Sequence, residues 1–316
     1  MKNSQETLRD TTQSIILGND TVTLERTLKL LRITGKDPIG MLNAILTNDV
    51  LKEGNAGVYA MLLNPKGRIQ TDLRVLKSGE DVLVATEPEG FDAAHEILGR
   101  YAPFSRAKLE ELADWRVLGV YGPAAGELLG LDLPEHATSE VSVDGITVLA
   151  ARVTSPVLGY DLISPSENLS QIQQHLTTNG ATPTTPETYE TARIEASIPR
   201  FGLDITPENF PGETGVLKKA VSFEKGCYPG QETVARMHYR GHPNKDLYRF
   251  ACESDDLQPG MEIVQGDKAV GTITSVAPLS VEGKIFSLGY LSRKVDLEAP
   301  MTAGGVAVSP LESVQS

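Results

Sequence analysis

The sequence contains only two cysteines, Cys227 and Cys252, among its 316 residues. Two cysteines do not make the disulfide framework of a small secreted domain, and they cannot by themselves hold an iron–sulfur cluster. The first residues lack the basic and apolar regions of a signal peptide. No apolar run approaches the roughly 20 residues that a membrane span needs. We therefore predict a cytoplasmic protein with no membrane partner.

Basic residues are also in short supply. The chain has 29 Lys and Arg against 42 Asp and Glu, which gives a net charge of −13. Nucleic acids and anionic membranes bind basic surfaces, because their phosphates must be neutralised. The composition therefore predicts no direct nucleic-acid partner, although it still allows a small basic pocket for one anionic ligand. The hydrophobic content of 40% is that of a globular protein, and the length predicts two or three folding units.

Strand and helix patterns are mixed along the chain without regular alternation. This mixture predicts an α+β fold rather than a doubly wound sheet. A short strand is predicted at Ser14–Leu17, and Asp37 followed by Pro38 is typical of a helix start. From about Asn244, short alternating strands separated by turn clusters predict a small β-barrel or sandwich. We place a domain boundary near residue 243.

A predicted hairpin joins Val58–Leu63 to Arg68–Leu76 through the turn Asn64–Gly67. Its second strand has an apolar face and a polar face, and the polar face consists of Arg68, Gln70, Asp72 and Arg74. Solvation of that face explains the pattern. Alternatively, the face lines a cleft in which Asp72 is a ligand-binding carboxylate. Alternation alone does not choose between the two.

A second notable segment, Thr188–Ala196, has helical character and contains Arg193 and Glu195. Residues two apart on a helix do not face each other, so one of the two can point inward while the other faces solvent. The simplest interpretation is a helix end at the protein surface.

The segment Lys225–Glu232 is the chemically richest of the chain, with the sequence Lys-Gly-Cys-Tyr-Pro-Gly-Gln-Glu. Cys227 follows Lys225 and precedes a predicted helix at Gln231–Tyr239. A nearby cation and helix N-terminus both favour the reactive thiolate form of a cysteine. The alternative is a small buried residue at a tight turn. Cys252 lies in an alternating strand, and we expect it in the core.

His238 and His242 have the i, i+4 spacing of helical zinc ligands. Gly241 and Pro243 predict that the helix breaks between them, and no third ligand is evident. We expect no metal site.

These residues carry a resemblance to a known family. Lys225–Glu232 is similar to the K-G-C-[FY]-x-G-Q-E signature of the YgfZ-type folate-binding proteins, which are related to the glycine-cleavage T-protein, an aminomethyltransferase that uses tetrahydrofolate. Further matches lie at Leu46–Val50, Asn64–Leu73 and Arg193–Ala196. The resemblance implies a three-lobed ring with folate in a central channel. Two interleaved ferredoxin-like α+β lobes would occupy residues 1–243, with the inserted lobe at roughly 51–115, and a β-barrel would occupy residues 244–316.

The resemblance also implies roles for single residues. Glu195 matches the T-protein glutamate that hydrogen-bonds the pterin, and Asp72 matches the aspartate near the reacting folate nitrogen. Cys227 stands where the T-protein usually has an acid, and it would act as a redox or transfer thiol. Lys225 and Arg236 are candidates for cations that reach the folate's glutamate carboxylates. One departure is Ser197, which replaces the usual glycine after Glu-Ala.

The function implied is that of a protein that binds tetrahydrofolate or a substituted folate. It would support assembly or repair of iron–sulfur clusters in client proteins, including enzymes that modify tRNA. One alternative is a folate-dependent C1-transferase acting by aminomethyl transfer or demethylation. Another is a non-catalytic interaction scaffold with a vestigial folate site. Whether the chain is an enzyme stays open at this point, and we expect a monomer.

Overall fold

The computed structural model describes residues 20–51, 56–154 and 156–314, so the strand predicted at Ser14–Leu17 lies outside the described residues. Over this part of the chain there are two compact units, and both are discontinuous. The sheet unit comprises residues 20–184 and 218–233, and the barrel unit comprises residues 185–217 and 234–314.

The sheet unit contains two β-sheets. Its strands are β1 (Val22–Arg26), β2 (Lys29–Gly35), β3 (Val58–Leu63), β4 (Ile69–Ser78), β5 (Asp81–Thr86), β6 (Ala107–Glu111), β7 (Trp115–Tyr121), β8 (Thr138–Val143), β9 (Ile146–Val153), β10 (Gly159–Pro165) and β11 (Thr182–Pro183). One sheet has the order β3-β4-β5-β2-β6, and the other has the order β11-β1-β7-β10-β9-β8. All neighbours are antiparallel except β1 and β11.

The helices of the sheet unit are α1 (Pro38–Ile45), α2 (Pro88–Tyr101), α3 (Ala125–Leu129) and α4 (Leu169–Thr178). Helix α1 begins as predicted, because Asp37 accepts a hydrogen bond from the Gly40 N–H at 2.9 Å and Pro38 occupies the first turn. Apolar side chains of both sheets meet in one buried cluster, in which Leu30 and Leu83 join Val117 and Ile163. This cluster packs the two sheets together within the unit.

The barrel unit contains a closed six-stranded barrel. Its strands are β12 (Lys245–Cys252), β13 (Glu262–Gln265), β14 (Lys268–Val276), β15 (Ile285–Ser292), β16 (Met301–Ala303) and β17 (Val306–Ser313), and their order is β12-β15-β14-β13-β16-β17. Phe250, Ile273 and Leu291 lie in its core. Cys252 is buried in the same core, as the sequence predicted.

Helix α5 (Pro186–Glu195) packs on the outside of the barrel, where Ile194 contacts Leu247, Leu288 and Tyr290. The remaining helices are α6 (Leu217–Ala220) and α7 (Gln231–Arg240). The predicted α+β class and the C-terminal barrel are therefore confirmed. The domain boundary near residue 243 stays a prediction. In the described ranges, no helix is both long and apolar enough to cross a membrane.

Candidate functional site

The chain leading to Cys227 is held by the segment that follows helix α1. The Thr47 hydroxyl donates to the Ala220 carbonyl at 2.6 Å, and the Asn48 side-chain amide donates to the Lys219 carbonyl at 2.8 Å. The Ser222 N–H in turn donates to the Thr47 carbonyl at 3.0 Å. Thr47 itself is fully buried. Leu46–Val50, one of the stretches that carried the family resemblance, thus holds the backbone that leads to the Cys227 loop.

Lys225 closes the end of the same helix. Its ammonium donates to the Leu46 carbonyl at 2.6 Å and also to the Asn43 carbonyl. Carbonyls in the last turn of a helix lack partners within the helix, and a cation is favourable there. Burial lowers the pKa of Lys225 to about 8, and Asp49 opposes this effect. These contacts hold the Lys225 ammonium at the helix end. The contact of Lys225 with folate carboxylates stays a prediction.

Gly230 places the same loop against the turn between β3 and β4. It has a φ of +83°, and a Cβ at this position would lie 2.6 Å from the Asn64 carbonyl oxygen and 2.9 Å from the Gly67 Cα. Gly67 also has a positive φ, and a Cβ there would lie 2.8 Å from the Thr233 Cβ. Only glycine satisfies both the left-handed backbone and this close approach. The loop and the turn are therefore in direct backbone contact.

Cys227 is exposed, so the interpretation of it as a buried turn residue is wrong. The contacts that hold the loop involve its backbone and its neighbours, which leaves the thiol at the surface of this chain. The next residue, Tyr228, is 6% exposed. Its hydroxyl is buried and has no hydrogen-bond partner within the described residues. The Lys225 ammonium lies 5.2 Å from the centre of the Tyr228 ring, within the range of a cation–π contact.

Asp72, on β4, is a buried carboxyl group. It is 7% exposed, and the Tyr59 hydroxyl donates to its Oδ2 at 2.6 Å. Burial raises the pKa of Asp72 to about 7; the Tyr59 hydrogen bond opposes the rise, and Glu87 adds to it. The same burial raises the pKa of Tyr59. Asp72 is buried and its neighbours Arg68, Gln70 and Arg74 are half-buried, so the face is not fully solvated, and its role as a cleft lining stays a prediction.

The arginine beside Asp72 in sequence pairs with a different acid. Arg74 contacts Asp161 at 2.5 Å, and the Tyr121 hydroxyl donates to the other Asp161 oxygen at 2.7 Å. Arg26 then donates to the Tyr121 hydroxyl at 3.1 Å. Within the described residues, no salt bridge reaches Asp72. Because no cation offsets its burial, its pKa is high enough for the group to exchange a proton near neutral pH.

Glu195, the last residue of α5, is the second buried carboxyl group and belongs to the barrel unit. It is 3% exposed, and its Oε2 is buried with no hydrogen-bond partner within the described residues. Burial raises the pKa of Glu195 to about 7; Arg249 opposes the rise and Glu282 adds to it. Arg249 donates to the Glu195 backbone carbonyl and pairs with Glu312 at 3.0 Å.

The end of α5 is fixed by Arg193, which is also 3% exposed. Its guanidinium contacts Asp204 at 2.5 Å, Ser275 at 2.8 Å and Glu190 at 2.9 Å. Both Arg193 and Glu195 are thus buried, and the prediction of a surface helix end is wrong. The reason is tertiary: a loop residue and a barrel strand supply partners that the helical pattern does not reveal.

Ser197 ends the helix in a left-handed conformation, with a φ of 60°. The Ser197 N–H donates to the Ile194 carbonyl at 3.0 Å, and the Ile198 N–H donates to the Arg193 carbonyl at 2.8 Å. This pair of hydrogen bonds is the Schellman motif, in which glycine is the preferred residue. The departure from glycine at this position therefore places a strained backbone two residues after Glu195.

Arg236 is exposed on α7, and its predicted contact with folate carboxylates stays a prediction. Helix α7 ends at Arg240, so the break predicted at Gly241 is confirmed and His242 lies beyond the helix. Across the described ranges, no group of three or more His, Cys, Asp or Glu side chains is placed to hold a metal ion.

Three residues of these environments were missed in the sequence. Tyr59 had a detectable signal, because the hairpin register pairs it with Arg74 and so puts it on the same face as Asp72. Arg249 also had one, since it is a charged residue inside a strand that is otherwise largely apolar. Glu87, which acts on the pKa of Asp72, follows β5 and had no signal in the local pattern.

Comparisons with known proteins agree with this description. Residues 25–225 match the family model described as the GCVT N-terminal domain. A protein of Yersinia pestis named "tRNA-modifying protein YgfZ" is 24% identical over 89% of this chain and 89% of its own length. The protein of the same name from Hamiltonella defensa is 29% identical over 77% of this chain and 74% of its own length. An uncharacterized protein of Haemophilus influenzae is 26% identical over 85% of this chain and 88% of its own length.

Among solved structures, the glycine cleavage system aminomethyltransferase T from Bartonella henselae superimposes with a TM-score of 0.80 at 19% identity. The match covers 95% of this chain and 88% of that protein. The T-protein-like fold implied by the sequence resemblance is confirmed.

Proposed function

Because this chain belongs to the GCVT N-terminal domain family, we propose that it binds tetrahydrofolate or a substituted folate. We further propose that it uses this ligand to support assembly or repair of iron–sulfur clusters in client proteins. The clients include enzymes that modify tRNA, in keeping with the names of its YgfZ relatives.

The observation that carries the folate proposal is the orphaned oxygen of Glu195. A buried carboxylate oxygen without a donor costs free energy, because water is removed and nothing replaces it. The pterin ring presents adjacent N–H and amino donors, which suit a carboxylate that accepts from both. The surroundings of Glu195 therefore suit a pterin ring. Arg193 and Ser197 fix the end of helix α5 that carries Glu195.

Asp72 is the candidate for the group near the reacting folate nitrogen. When bound, tetrahydrofolate supplies a nitrogen that can carry a one-carbon unit. With its pKa raised to about 7, Asp72 holds or releases a proton near neutral pH, and Tyr59 orients its carboxylate through the hydrogen bond to Oδ2. Lys225 holds the loop of Cys227 on helix α1, and the exposed thiol of Cys227 is the candidate for contact with client proteins.

Folate binding is tested by calorimetry with tetrahydrofolate and a Glu195→Gln variant. Loss of the charged acceptor is expected to weaken binding by about ten- to a hundredfold, the range for a hydrogen bond to a charged group. Glu262→Gln, which changes an exposed acid at the start of β13, is the matched control and leaves the affinity unchanged. Absence of tetrahydrofolate binding in the unmodified protein supports the vestigial scaffold instead.

The thiol proposal is tested in a strain that carries Cys227→Ser. We expect reduced activity of iron–sulfur enzymes in that strain, whereas the purified variant keeps its tetrahydrofolate affinity because Cys227 is not a proposed folate ligand. A Cys252→Ser strain is the control, since Cys252 lies in the barrel core. Unchanged iron–sulfur enzyme activity in the Cys227→Ser strain refutes this part of the proposal.

A second candidate function is a folate-dependent C1-transferase. The observation in its favour is Asp72, which has a pKa suited to proton transfer near pH 7. A tetrahydrofolate-dependent methylene-transfer assay separates the two functions. Methylene transfer that is kept in Cys227→Ser and lost in Asp72→Asn favours the transferase. If the unmodified protein shows no methylene transfer, and iron–sulfur enzymes in cells require Cys227, the cluster-support function is favoured.

A further inference from the structure

Phe104 is the most exposed large apolar side chain of the described residues, at 86%. It lies in the short connection between α2 and β6, in a 3₁₀ turn at Ala102–Ser105. Tyr101, at the end of α2, is 38% exposed on the same connection. The folding of the sheet unit does not explain this exposure, because it leaves Phe104 uncovered and covers Tyr101 only in part.

Three exposed cations lie on or next to the same connection. Arg106 and Lys108 follow Phe104 and are exposed, and Lys36 joins them because its backbone N–H donates to the Arg106 carbonyl at 3.2 Å. No salt bridge or side-chain hydrogen bond of these three cations occurs within the described residues. Residues 100–108 contain Arg100, Arg106 and Lys108 and no acid, in a chain whose net charge is −13. We call Lys36, Tyr101, Phe104, Arg106 and Lys108 the basic–aromatic patch.

Three exposed acids flank the patch in sequence, at Asp37, Glu110 and Glu111. Asp37 caps α1 by accepting the Gly40 N–H at 2.9 Å, and Glu110 pairs with Arg32 at 3.4 Å. Glu96 pairs with Arg100 one helical turn away. None of these acids forms a salt bridge with Lys36, Arg106 or Lys108 within the described residues.

The backbone under the patch is well defined. Arg106 has a φ of 51°, which is unusual for a residue with a side chain. Its N–H donates to the Pro103 carbonyl at 3.3 Å, and its carbonyl accepts the Lys36 N–H. Gly35, with a φ of +112°, allows this approach, because a Cβ there would lie 2.3 Å from the Arg106 oxygen. A surface held in this way loses little conformational entropy on binding.

We propose that the basic–aromatic patch binds single-stranded RNA. Bases stack on Phe104 and Tyr101, and phosphates are neutralised by Lys36, Arg106 and Lys108, which is the combination that single-strand binding surfaces use. The choice of RNA rests on the proposed function, in which the client proteins include enzymes that modify tRNA, whereas the patch does not. Net charge predicted no nucleic-acid partner, but charges more than about 8 Å away are largely screened at physiological salt, so the local charge decides.

The proposal is tested by fluorescence anisotropy with the full-length protein and a labelled oligouridylate of about 12 nucleotides, within the usual site size of such surfaces. Phe104→Ala is expected to weaken binding by about five- to a hundredfold through the lost stacking. Three engaged cations predict a slope of log affinity against log salt of about −2. Arg106→Gly, which suits the left-handed backbone, lowers the magnitude of that slope by about 0.7.

Matched controls are Leu297→Ala, an apolar side chain that is 44% exposed, and Arg240→Ala, an exposed cation on α7. Both are expected to bind RNA as the unmodified protein does. Tetrahydrofolate affinity is measured in every variant, and it is expected to be unchanged in Phe104→Ala. If a patch variant loses RNA binding and keeps its tetrahydrofolate affinity, the RNA proposal is tested separately from the proposed function. RNA binding by an unmodified protein that binds no folate also separates the two.

Several outcomes overturn the proposal. One is no binding of the oligouridylate by the unmodified protein at low salt, and another is equal binding by Phe104→Ala and Arg106→Gly. A third is tighter binding to the corresponding oligodeoxyuridylate. A fourth is that the protein binds no RNA but associates, through Phe104, with phosphatidylserine vesicles or with a second copy of the chain. That result assigns the patch to the partner observed.

Discussion

Asp72 and Glu195 are two buried carboxyl groups with the same pKa, about 7, reached in different surroundings. Asp72 has a phenol donor 2.6 Å from one oxygen and no cation to offset its burial. Glu195 has Arg249 nearby, but Arg249 bonds its backbone carbonyl, and one carboxylate oxygen is left buried without a donor.

A raised pKa therefore does not by itself indicate what a buried acid does. In Asp72 the protein supplies an internal hydrogen bond, which orients the group and opposes the rise in pKa. In Glu195 the protein supplies a cation and withholds a donor from Oε2. A buried acceptor that the fold leaves unsatisfied is suited to a ligand that brings its own donors.

The largest effect is expected from Asp72→Asn. Burial raises the pKa of Asp72 from 3.8 to about 7, so the unfolded chain loses this proton at lower pH than the folded protein does. The stability of the unmodified protein therefore falls as pH rises from about 4 to about 7, by at most about 4 kcal/mol at 1.36 kcal/mol per pKa unit. Because asparagine does not titrate, Asp72→Asn lacks this loss of stability. Its stability relative to the unmodified protein therefore increases between about pH 4 and about pH 7.

Urea unfolding of both proteins across the acidic and neutral range and into the alkaline range above pH 8 measures this difference. The gap between them is expected to be constant below pH 4 and above pH 8 and to change between these values. A stability difference that does not vary with pH contradicts the assignment of the raised pKa to Asp72.

Glu195→Gln is also expected to gain stability relative to the unmodified protein as pH rises, but by a smaller amount than Asp72→Asn. Burial raises the pKa of Glu195 from 4.5 to about 7, which corresponds to at most about 3 kcal/mol, reduced because Arg249 loses a neighbouring charge. The ligand sharpens the comparison with Asp72. Saturating tetrahydrofolate is expected to raise the melting temperature of the unmodified protein and to raise that of Glu195→Gln much less. An equal rise in the two proteins contradicts the role of the orphaned oxygen.

Tyr59→Phe breaks the internal hydrogen bond of Asp72. Because that bond opposes the rise in pKa, its loss is expected to move the midpoint of the pH-dependent stability change upward by about one pH unit and to cost about 1–2 kcal/mol. The matched control is Tyr228→Phe, which removes a buried hydroxyl that has no partner among the described residues. That change is expected to be neutral or slightly stabilising, and the pH midpoint stays in place. Equal loss of stability in both variants contradicts the comparison.

The smallest effect is expected from Ser197→Gly, next to Glu195. Ser197 has a φ of 60°, and a left-handed backbone costs a non-glycine residue roughly 1–2 kcal/mol. Glycine has greater freedom in the unfolded chain, which offsets part of this gain. A net stabilisation of about 0.5–1 kcal/mol is expected in urea unfolding. Destabilisation by Ser197→Gly contradicts the assignment of strain to this residue.

Local patterns in the sequence predicted much of the fold. The start of α1 at Asp37 and Pro38, the β3–β4 hairpin and most barrel strands follow from capping, turn and alternation signals that involve neighbouring residues only. Strand β16 carries no such signal, because its three residues, Met301–Ala303, are too few for a pattern.

The site environments were harder to predict, because they depend on residues distant in sequence. Lys225 bonds carbonyls 179 and 182 residues earlier in the chain. The burial of Arg193 follows from Ser275, 82 residues later. Local periodicity carries no information about such contacts, so the exposure of Cys227 and the burial of both Arg193 and Glu195 were accessible only from the structure.

The packing of Gly230 on Gly67 has a consequence for synthesis of the chain on the ribosome. The sheet unit takes its last piece, residues 218–233, from a part of the chain that follows residues 185–217 of the barrel unit. The two sheets can therefore emerge and begin to pair before the Cys227 loop itself has been synthesised. The Cys227 loop is added as a late, long-range contact, which is the slow kind to form. The nascent chain thus has its folded sheets before it has a positioned thiol.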